Sequence, residues 1–418
     1  MKALGGRALL VGGCVRDELL GIENKDVDIE VFGIAPEKVL AKYPQADTVG
    51  KSFGVIKLGD IDVAFPRRET KLGEGHKGFK IECDPTLSLE EAAARRDFTI
   101  NAIYRDPLSG EVLDPYNGQK DLQKRVLRPV SEHFSEDPLR VLRAMQFAAR
   151  FELTPSGDLI DICRRMTPEG LPKERLFEEW SKLLLKGKKP SIGLNFLREV
   201  GWVKYYPELE RLIGCEQDPE WHPEGDVWNH TCECVDRMRP NGDIVIAFAV
   251  LCHDFGKPDC TKWDPVKKRI RSLGHDTFGV KHAESFLRRL TDDLHILKEV
   301  PPLVRDHMTP FALYRDHAGD TAIRRLASRC GRIDRLLEVS HADGLLPEAY
   351  DWLKSAAERL ASYRAPQKPL VQGRDLIALG VEPGPRMGRI LKALYEAQLD
   401  GKLKLPLDLS PDLWYNIL

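Results

Sequence analysis

"LLVGGCVRDELLGIENKDVDIEVFG", residues Leu9 to Gly33, sets the architecture of the amino-terminal part of the chain. An apolar run ends in Gly12-Gly13, a helical stretch opens with Arg16 and Asp17, and a second β-like run carries Asp26 and Asp28. Side chains two apart in a strand lie on one face, so two carboxylates are expected side by side near a backbone-exposing turn. Carboxylates that close repel unless a cation sits between them. Hard oxygen ligands of this kind suit magnesium shared with substrate phosphates. Two such ions can activate an attacking hydroxyl and stabilise a leaving pyrophosphate. Gly12 and Gly13 let backbone N–H groups approach phosphate oxygens with no Cβ in the way. Asp62, in "GDIDVAF", sits on a later β-like run and can supply a third carboxylate. A bare D-x-D is usually a solvated strand edge, and the Gly-Gly turn with Arg16 and Asp17 shifts that balance. A dinucleotide site is disfavoured because GGCVRD lacks the G-x-G-x-x-G spacing.

The chain has 418 residues, which suggests about three domains. No apolar run approaches the ~18 residues needed to cross a bilayer. The longest, Ile244 to Cys252, suits a buried helix, and Gly5, Gly6 and Arg7 break the apolar amino terminus without a cleavage site. A cytoplasmic location with no membrane partner is expected. The nine cysteines show no C-x-x-C spacing, which fits reduced, buried thiols. Cys232-Glu233-Cys234 is the one close pair, and without a second pair it reads as buried thiols rather than zinc ligands. The net charge of −2 predicts no nucleic-acid partner by itself. Local clusters (Arg67-Arg68 with Lys71, Arg95-Arg96, Lys182 to Lys189, Lys267 to Arg271) gain meaning only if other residues demand a phosphate.

Up to about Val130 short β-like runs (Ala8–Val11, Val27–Phe32, Gly54–Leu58, Ile61–Phe65) alternate with helical stretches such as Pro36–Lys42 and Leu89–Ala94, which predicts an α/β module. Beyond Val130 helical spacing dominates, starting with Glu136–Phe151. Pro-rich breaks at Asp218–Pro223, Pro301-Pro302 and Ala365–Pro369 read as joints. "RRETKLGEGHKGFKIE", Arg67 to Glu82, reads as a mobile loop because it is rich in glycine and lysine and lacks periodicity. "RRDFTINA", Arg95 to Ala102, offers two guanidinium groups suited to phosphate oxygens. Asp97 or Asn101 there can hydrogen-bond a ribose hydroxyl.

GGCVRD…DVD, RRDFTINA, "DPYNGQKDL" (Asp114 to Leu122) and "EDPLRVLRAMQFAARF" (Glu136 to Phe151) stand in the order and spacing of the class II tRNA nucleotidyltransferases, and the chain resembles that family of bacterial CCA-adding enzymes and poly(A) polymerases continuously to about Pro207. The resemblance implies an α+β protein: a polymerase-β-like nucleotidyltransferase α/β head (residues 1–130), an all-α neck (131–215), a helical body (216–348) and a helical tRNA-binding tail (349–418). It implies that Asp26 and Asp28 hold catalytic Mg2+, joined by Asp62. Nucleotide is expected at Gly12, Gly13, Arg16, Arg95, Arg96, Asp97, Asn101 and Arg143. Glu136, Asp137 and Arg140 become a protein template for the incoming base. Asp137 and Arg140, three apart, are expected as neighbours on one helix face. A carboxylate accepts from an exocyclic amine and a guanidinium donates to a ring acceptor, a pattern that cytosine and adenine share and that uracil and guanine lack. In the family, a flexible loop at the position of Arg67–Glu82 helps switch specificity from C to A. The implied partners are a tRNA 3′ end with CTP and ATP, and a homodimer is carried as an expectation.

Further on, His230, His253-Asp254 in "HDFGKP", His275, His307 and Asp343 follow an H…HD…H…H…D order that resembles the HD phosphohydrolase superfamily. Imidazoles and carboxylates suit one or two divalent ions (Mg2+, Mn2+ or Ni2+) that aim water at a phosphoester. The expected second activity is hydrolysis of 2′,3′-cyclic phosphates, 2′-nucleotides or phosphate esters. Two alternatives stand beside CCA addition: a poly(A) polymerase or an enzyme adding only A or only CC, and, in a different class, an HD phosphohydrolase with a regulatory nucleotide-binding head.

Overall fold

In a computed structural model of the protein, residues 1–24, 26–49, 55–59, 61–71, 79–239 and 241–403 are described. The chain divides into two compact units, Met1–Pro207 and Glu208–Leu418.

The first unit is built on a seven-stranded sheet with the order β3-β4-β5-β2-β1-β8-β9. Its strands are β1 (Arg7–Val11), β2 (Val27–Phe32), β3 (Asp47–Val49), β4 (Val55–Leu58), β5 (Ile61–Ala64), β8 (Tyr104–Arg105) and β9 (Val112–Leu113). The pair β2 and β5 is parallel and the other neighbours run antiparallel. The strand Val27–Phe32 and the helix Pro36–Lys42 have the bounds expected from the sequence; Gly54 lies outside the described residues. Val31, Val39, Ile56, Val63 and Phe65 bury one face of the sheet. At the other, Leu9, Val11, Ala102 and Tyr104 pack with Ala93 of the helix Leu89–Ala93, which Ser88 and Glu91 close with a reciprocal capping box.

Three expectations are corrected in this unit. Arg67–Glu82 is not a structureless loop. Arg67–Lys71 (β6) and Phe79–Cys83 (β7) pair antiparallel, while the tip at 72–78 lies outside the described residues. Charged residues at nearly every position of Arg67–Lys71 mask the alternation that would mark a strand. The helix expected from Glu136 begins only at Leu139, because Glu132–Glu136 is a 3₁₀ turn and Asp137 has extended backbone (φ −122°). Pro138 disfavours a helical conformation at the residue before it. The neck is helical (Leu139–Phe151, Lys173–Lys186, Pro190–Glu199) but includes a short parallel pair, β10 (Val126–Leu127) with β11 (Thr154–Pro155).

Among its described residues the second unit is mainly helical, with one hairpin, β12 (Thr261–Asp264) with β13 (Arg269–Ser272), which sequence patterning missed. Its centre is the helix Ile244–Cys252, fully buried from Val245 to Cys252. Pro301-Pro302 is not a joint. Both prolines lie inside the helix Leu294–Asp306, whose buried face of Ile296, Leu297, Val300, Leu303 and Val304 runs across them. Packing against the core outweighs the lost backbone donors there. Near the end, Gly373–Ala378 and Pro385–Leu399 form a helix pair around Leu376, Met387, Ile390 and Leu394. No helix among the described residues is long and apolar enough to cross a membrane.

Candidate functional sites

Strands β2 and β5 place Asp28 directly opposite Asp62 in parallel register, so the two side chains share one face. Asp26 precedes β2, is exposed, and its backbone N–H donates to Asn24 Oδ1 at 2.9 Å. Asp26 therefore approaches from the strand entrance rather than from within a strand. Burial pushes the Asp28 carboxyl above its ordinary pKa, with the charges of Asp62 and Asp26 adding to the effect against Arg96. Three acids crowded at the end of two adjacent strands fit a divalent ion, which would reverse that shift.

Gly12 caps the helix Gly13–Leu19 with φ +78°. A Cβ there would stand 3.4 Å from Arg96 Nη1 and 3.8 Å from Asp28 Oδ2, so the turn brings backbone between a guanidinium and a carboxylate. Arg96 is held from behind: Nη2 donates to the buried Glu30 at 2.9 Å, and Tyr104 OH donates to the same oxygen at 3.0 Å. Arg16 and Asn101 lie beside the Gly12-Gly13 turn with their polar groups already engaged. Buried Arg16 donates to Asp17 Oδ1 and to Asn101 Oδ1 at 2.6 Å, its guanidinium lies over the Phe151 ring, and Asn101 Nδ2 donates to Asp97 at 2.9 Å. These two residues brace the turn.

Arg95, Arg96, Asp97, Asp137, Arg140 and Arg143, all selected from the sequence, line one cavity of about 450 Å³. Sequence reasoning missed Glu30, Arg175, Glu178 and Glu179 in the same wall, and it noted Arg67 and Lys182 only as members of local basic clusters. Seven basic side chains against five acidic ones make it an anion-accepting cleft. Arg143 holds Asp97 through contacts of 2.8 and 2.6 Å. Burial opposes ionisation of Asp97, but Arg143 and the Asn101 hydrogen bond keep its carboxyl below the usual range.

The Arg140 N–H donates to the Asp137 carbonyl at 3.0 Å, and the two side chains reach for other groups. Asp137 Oδ1 caps the Leu139 N–H and Oδ2 receives Arg175 at 3.1 Å, whereas Arg140 donates to the carbonyls of His133 and Arg95 at 2.6 and 2.7 Å. The expected helix-face pair fails because Asp137 lies outside the helix. Both side chains still face the cavity. Glu136 does not line it; it accepts from Arg95 at 3.5 Å and contacts His133 at 2.7 Å.

In the second unit the six residues singled out by the H…HD…H…H…D order converge. His253, His307 and Asp343 stand at the C-terminal caps of the helices Ile244–Cys252, Leu294–Asp306 and Ile333–Ala342, and His275 opens the helix His275–Leu290. Gly256 lets that last helix approach, since a Cβ there would run into the His275 carbonyl. Asp254 sits in the middle. Its Oδ2 faces His253 at 3.3 Å and His230 at 3.6 Å, and its Oδ1 faces His275 at 3.4 Å and His307 at 3.9 Å.

The outer nitrogens are all engaged. The Nδ1 atoms of His253, His275 and His307 contact the carbonyls of Val250, Ser272 and Val304 at 2.6–2.7 Å, and His230 Nδ1 contacts Glu224 Oε1 at 2.6 Å. Assigning the proton to Nδ1 leaves four Nε2 lone pairs pointing inward. His275 and His307 then face each other Nε2 to Nε2 at 3.1 Å, and His253 Nε2 is buried with no hydrogen bond. Such opposed acceptors fit divalent ions, at two positions that share Asp254. Lys257, buried, also reaches Asp254 Oδ2 at 2.8 Å. Burial, with the neighbouring His275 and His253, lowers His307 to about 4, which keeps that imidazole neutral. Sequence reasoning missed Glu224 and Lys257, and it read Cys234 as a buried thiol rather than a metal ligand. The thiol of Cys234 lies 3.4 Å from His230 Nε2, so it belongs to this cluster.

Residues 8–128 match the Poly A polymerase head domain. The chain is 36% identical over 407 residues to the multifunctional CCA protein of Xanthomonas campestris pv. campestris (91% of this chain, 95% of that one) and 35% identical over 394 residues to that of Chromobacterium violaceum (90% and 91%). Its fold is similar to the Bacillus stearothermophilus CCA-adding enzyme in complex with CTP, with a TM-score of 0.69 at 23% identity, covering 100% of this chain and 93% of that one. It is also similar to the Thermotoga maritima CCA-adding enzyme complexed with tRNA, with a TM-score of 0.59 at 20% identity, covering 100% and 92%.

Proposed function

The chain belongs to the family of multifunctional CCA proteins, CCA-adding tRNA nucleotidyltransferases, and on that premise we propose that its head adds C, C and A to tRNA 3′ ends from CTP and ATP while its body hydrolyses phosphoesters. The observation that carries the first half is the register of Asp28 with Asp62, beside Asp26 and next to the basic cleft. Magnesium held by these carboxylates would activate the terminal RNA hydroxyl and steady the leaving pyrophosphate. Gly12, Gly13 and Arg96 receive phosphate oxygens. Arg95, Arg143, Arg175 and Lys182 neutralise the rest of the triphosphate. Asp97 takes the ribose. Asp137 accepts from the exocyclic amine of C or A and Arg140 donates to the adjacent ring nitrogen. Reading a base requires both to exchange partners, Asp137 leaving Arg175 and Arg140 releasing a backbone carbonyl. That built-in competition favours bases offering an amine beside an acceptor and disfavours U and G.

The body is read as an HD-type phosphohydrolase because four imidazoles and two carboxylates converge with their outer nitrogens already engaged. A divalent ion there would supply the Lewis acid for a phosphoester. His230, His253, Asp254 and Asp343 hold one position, and His275 and His307 with Asp254 the other. A 2′,3′-cyclic phosphate at an RNA end is the proposed substrate, and the helix pair Gly373–Leu399 the proposed tRNA contact in the tail.

The test of the head is a tRNA lacking its 3′ end, incubated with each nucleoside triphosphate separately and together. CTP should add two residues, ATP one more, and extension should stop. Unlimited ATP incorporation would identify a poly(A) polymerase instead.

A further inference from the structure

The helix Val227–Arg237 presents two side chains to the buried centre of the second unit, His230 and, one turn later, Cys234. Cys234 is fully buried, and its Sγ lies 3.4 Å from His230 Nε2. One ligand atom from each of His230, Cys234, His253 and Asp343 lies within 4.8 Å of the others. Between His230 or His253 and Asp343 the distances are 2.9 and 3.5 Å. A tetrahedral sphere with metal–ligand bonds of ~2.0–2.3 Å has edges of ~3.3–3.8 Å, so this quartet is close to the size of a coordination shell.

With the two imidazoles neutral, hydrogen bonding within the protein does not satisfy all of these atoms. With Nδ1 of His230 given to Glu224 and Nδ1 of His253 to Val250, both Nε2 atoms present lone pairs to the Asp343 carboxylate, which is itself an acceptor. His253 Nε2, 1% exposed as a residue, makes no hydrogen bond. The thiol has a single proton and can serve only one of the three. A cation at the centre satisfies all four at once.

We propose that Cys234 is a thiolate ligand of the first metal position in the body, adding one sulfur to the imidazole nitrogens of His230 and His253 and the carboxylate oxygens of Asp254 and Asp343. The inference rests on the reading of the body as a metal centre and adds a ligand outside the H…HD…H…H…D pattern. A thiolate selects for late transition metals over magnesium or calcium, because soft sulfur binds hard cations poorly. The position built on Asp254, His275 and His307 has no sulfur and stays the harder of the two.

The test is zinc K-edge X-ray absorption on the full-length protein loaded with one equivalent of zinc. A sulfur shell at about 2.3 Å beside nitrogen and oxygen at about 2.0–2.1 Å is expected. Cys234→Ser should lose that shell, whereas Cys232→Ser and Cys252→Ser should retain it. Cobalt-loaded wild-type protein should show a near-ultraviolet thiolate-to-cobalt charge-transfer band that follows the same pattern. Bound zinc with only nitrogen and oxygen neighbours overturns the inference and leaves the metal centre standing, as does a sulfur shell that survives in Cys234→Ser. Failure to retain zinc at all overturns both. Should Cys234→Ser not fold, the wild-type spectrum decides the presence of sulfur, and its loss in Cys232→Ser or Cys252→Ser would reassign the ligand and overturn the inference.

Discussion

Asp28 and Asp62 stand opposite each other on the parallel strands Val27–Phe32 and Ile61–Ala64, one carboxylate raised in pKa by burial and by its neighbours. A parallel pair inside a largely antiparallel sheet brings two chain segments 34 positions apart to one face of the sheet. Asp28→Ala should therefore reduce addition of both CTP and ATP by at least about 10²-fold, the scale of removing a single charge-stabilising group, with Asp62→Ala following the same direction. Phosphoester hydrolysis by the body should be unchanged. Near-normal addition by Asp28→Ala, measured in single-turnover extension of a trimmed tRNA, would remove these strands from the active site.

Base choice is the second expectation. Arg140→Lys keeps the charge but loses the planar fork. It should lower kcat/KM for both CTP and ATP by about 10- to 100-fold, corresponding to the ~1–3 kcal/mol of a bidentate base contact. Binding of the triphosphate should change less. Asp137→Ala should show the same split, because the exocyclic amine loses its acceptor. Uptake of UTP by the wild-type protein at a rate comparable with CTP contradicts the template role.

The Asp97–Arg143 pair gives a stability prediction with a definite sign. Arg143 and the Asn101 hydrogen bond place the Asp97 carboxyl below its ordinary range in the folded state. Its contribution is therefore complete above the unfolded carboxyl value, ~3.9, and is lost as pH falls through the lower folded value. Asp97→Asn should cost roughly 2–3 kcal/mol at neutral pH, less than the ~3–5 for breaking a wholly buried pair because Arg143 is one-third exposed. The difference between variant and wild type in urea unfolding should shrink below pH 4. A gap that widens with acid would mean the carboxylate is not the stabilising partner.

Much of this was readable in the sequence. The strand Val27–Phe32 and the helices Pro36–Lys42 and Ile244–Cys252 follow from periodicity and composition, because each buries a definite face. The six histidine and aspartate positions of the body also meet in space as their order implied. What could not be read lies in tertiary placement. Arg175 and Lys182 reach the cleft from a helix whose amphipathic pattern is ordinary. Glu224 sits in an irregular stretch, and nothing about its position marks it as the acceptor for His230. Cys234 stood out only as half of a close pair read as buried thiols, and its helical phase relative to His230 is what links it to the cluster. Arg16 and Asn101 look like phosphate and ribose ligands by residue type, yet Asp17, Asp97 and Phe151 engage them within the fold.

Glu224 yields the fourth prediction. Its carboxylate accepts from His230 Nδ1 and also contacts His222 Nδ1 at 3.0 Å, so it would fix the tautomer and orientation of His230 as the proposed ligand. Glu224→Gln should weaken divalent-metal binding by the body about 10- to 100-fold. Addition to an intact tRNA end should be unaffected. Equilibrium dialysis with zinc reads the first and an extension assay the second; an unchanged metal affinity would show that His230 needs no such support.

The central claim is that one chain carries two separate metal centres, one building RNA ends and the other opening them. The most direct measurement compares Asp254→Ala with wild type on two tRNAs lacking the terminal nucleotides, one ending in a free 3′-hydroxyl and the other in a 2′,3′-cyclic phosphate. Asp254 faces both candidate positions in the body, so its removal should abolish hydrolysis there. The variant should extend the free hydroxyl end at the wild-type rate and leave the cyclic end unextended, while wild type extends both. Equal extension of both ends by the variant, or loss of extension on the free hydroxyl, would contradict the account.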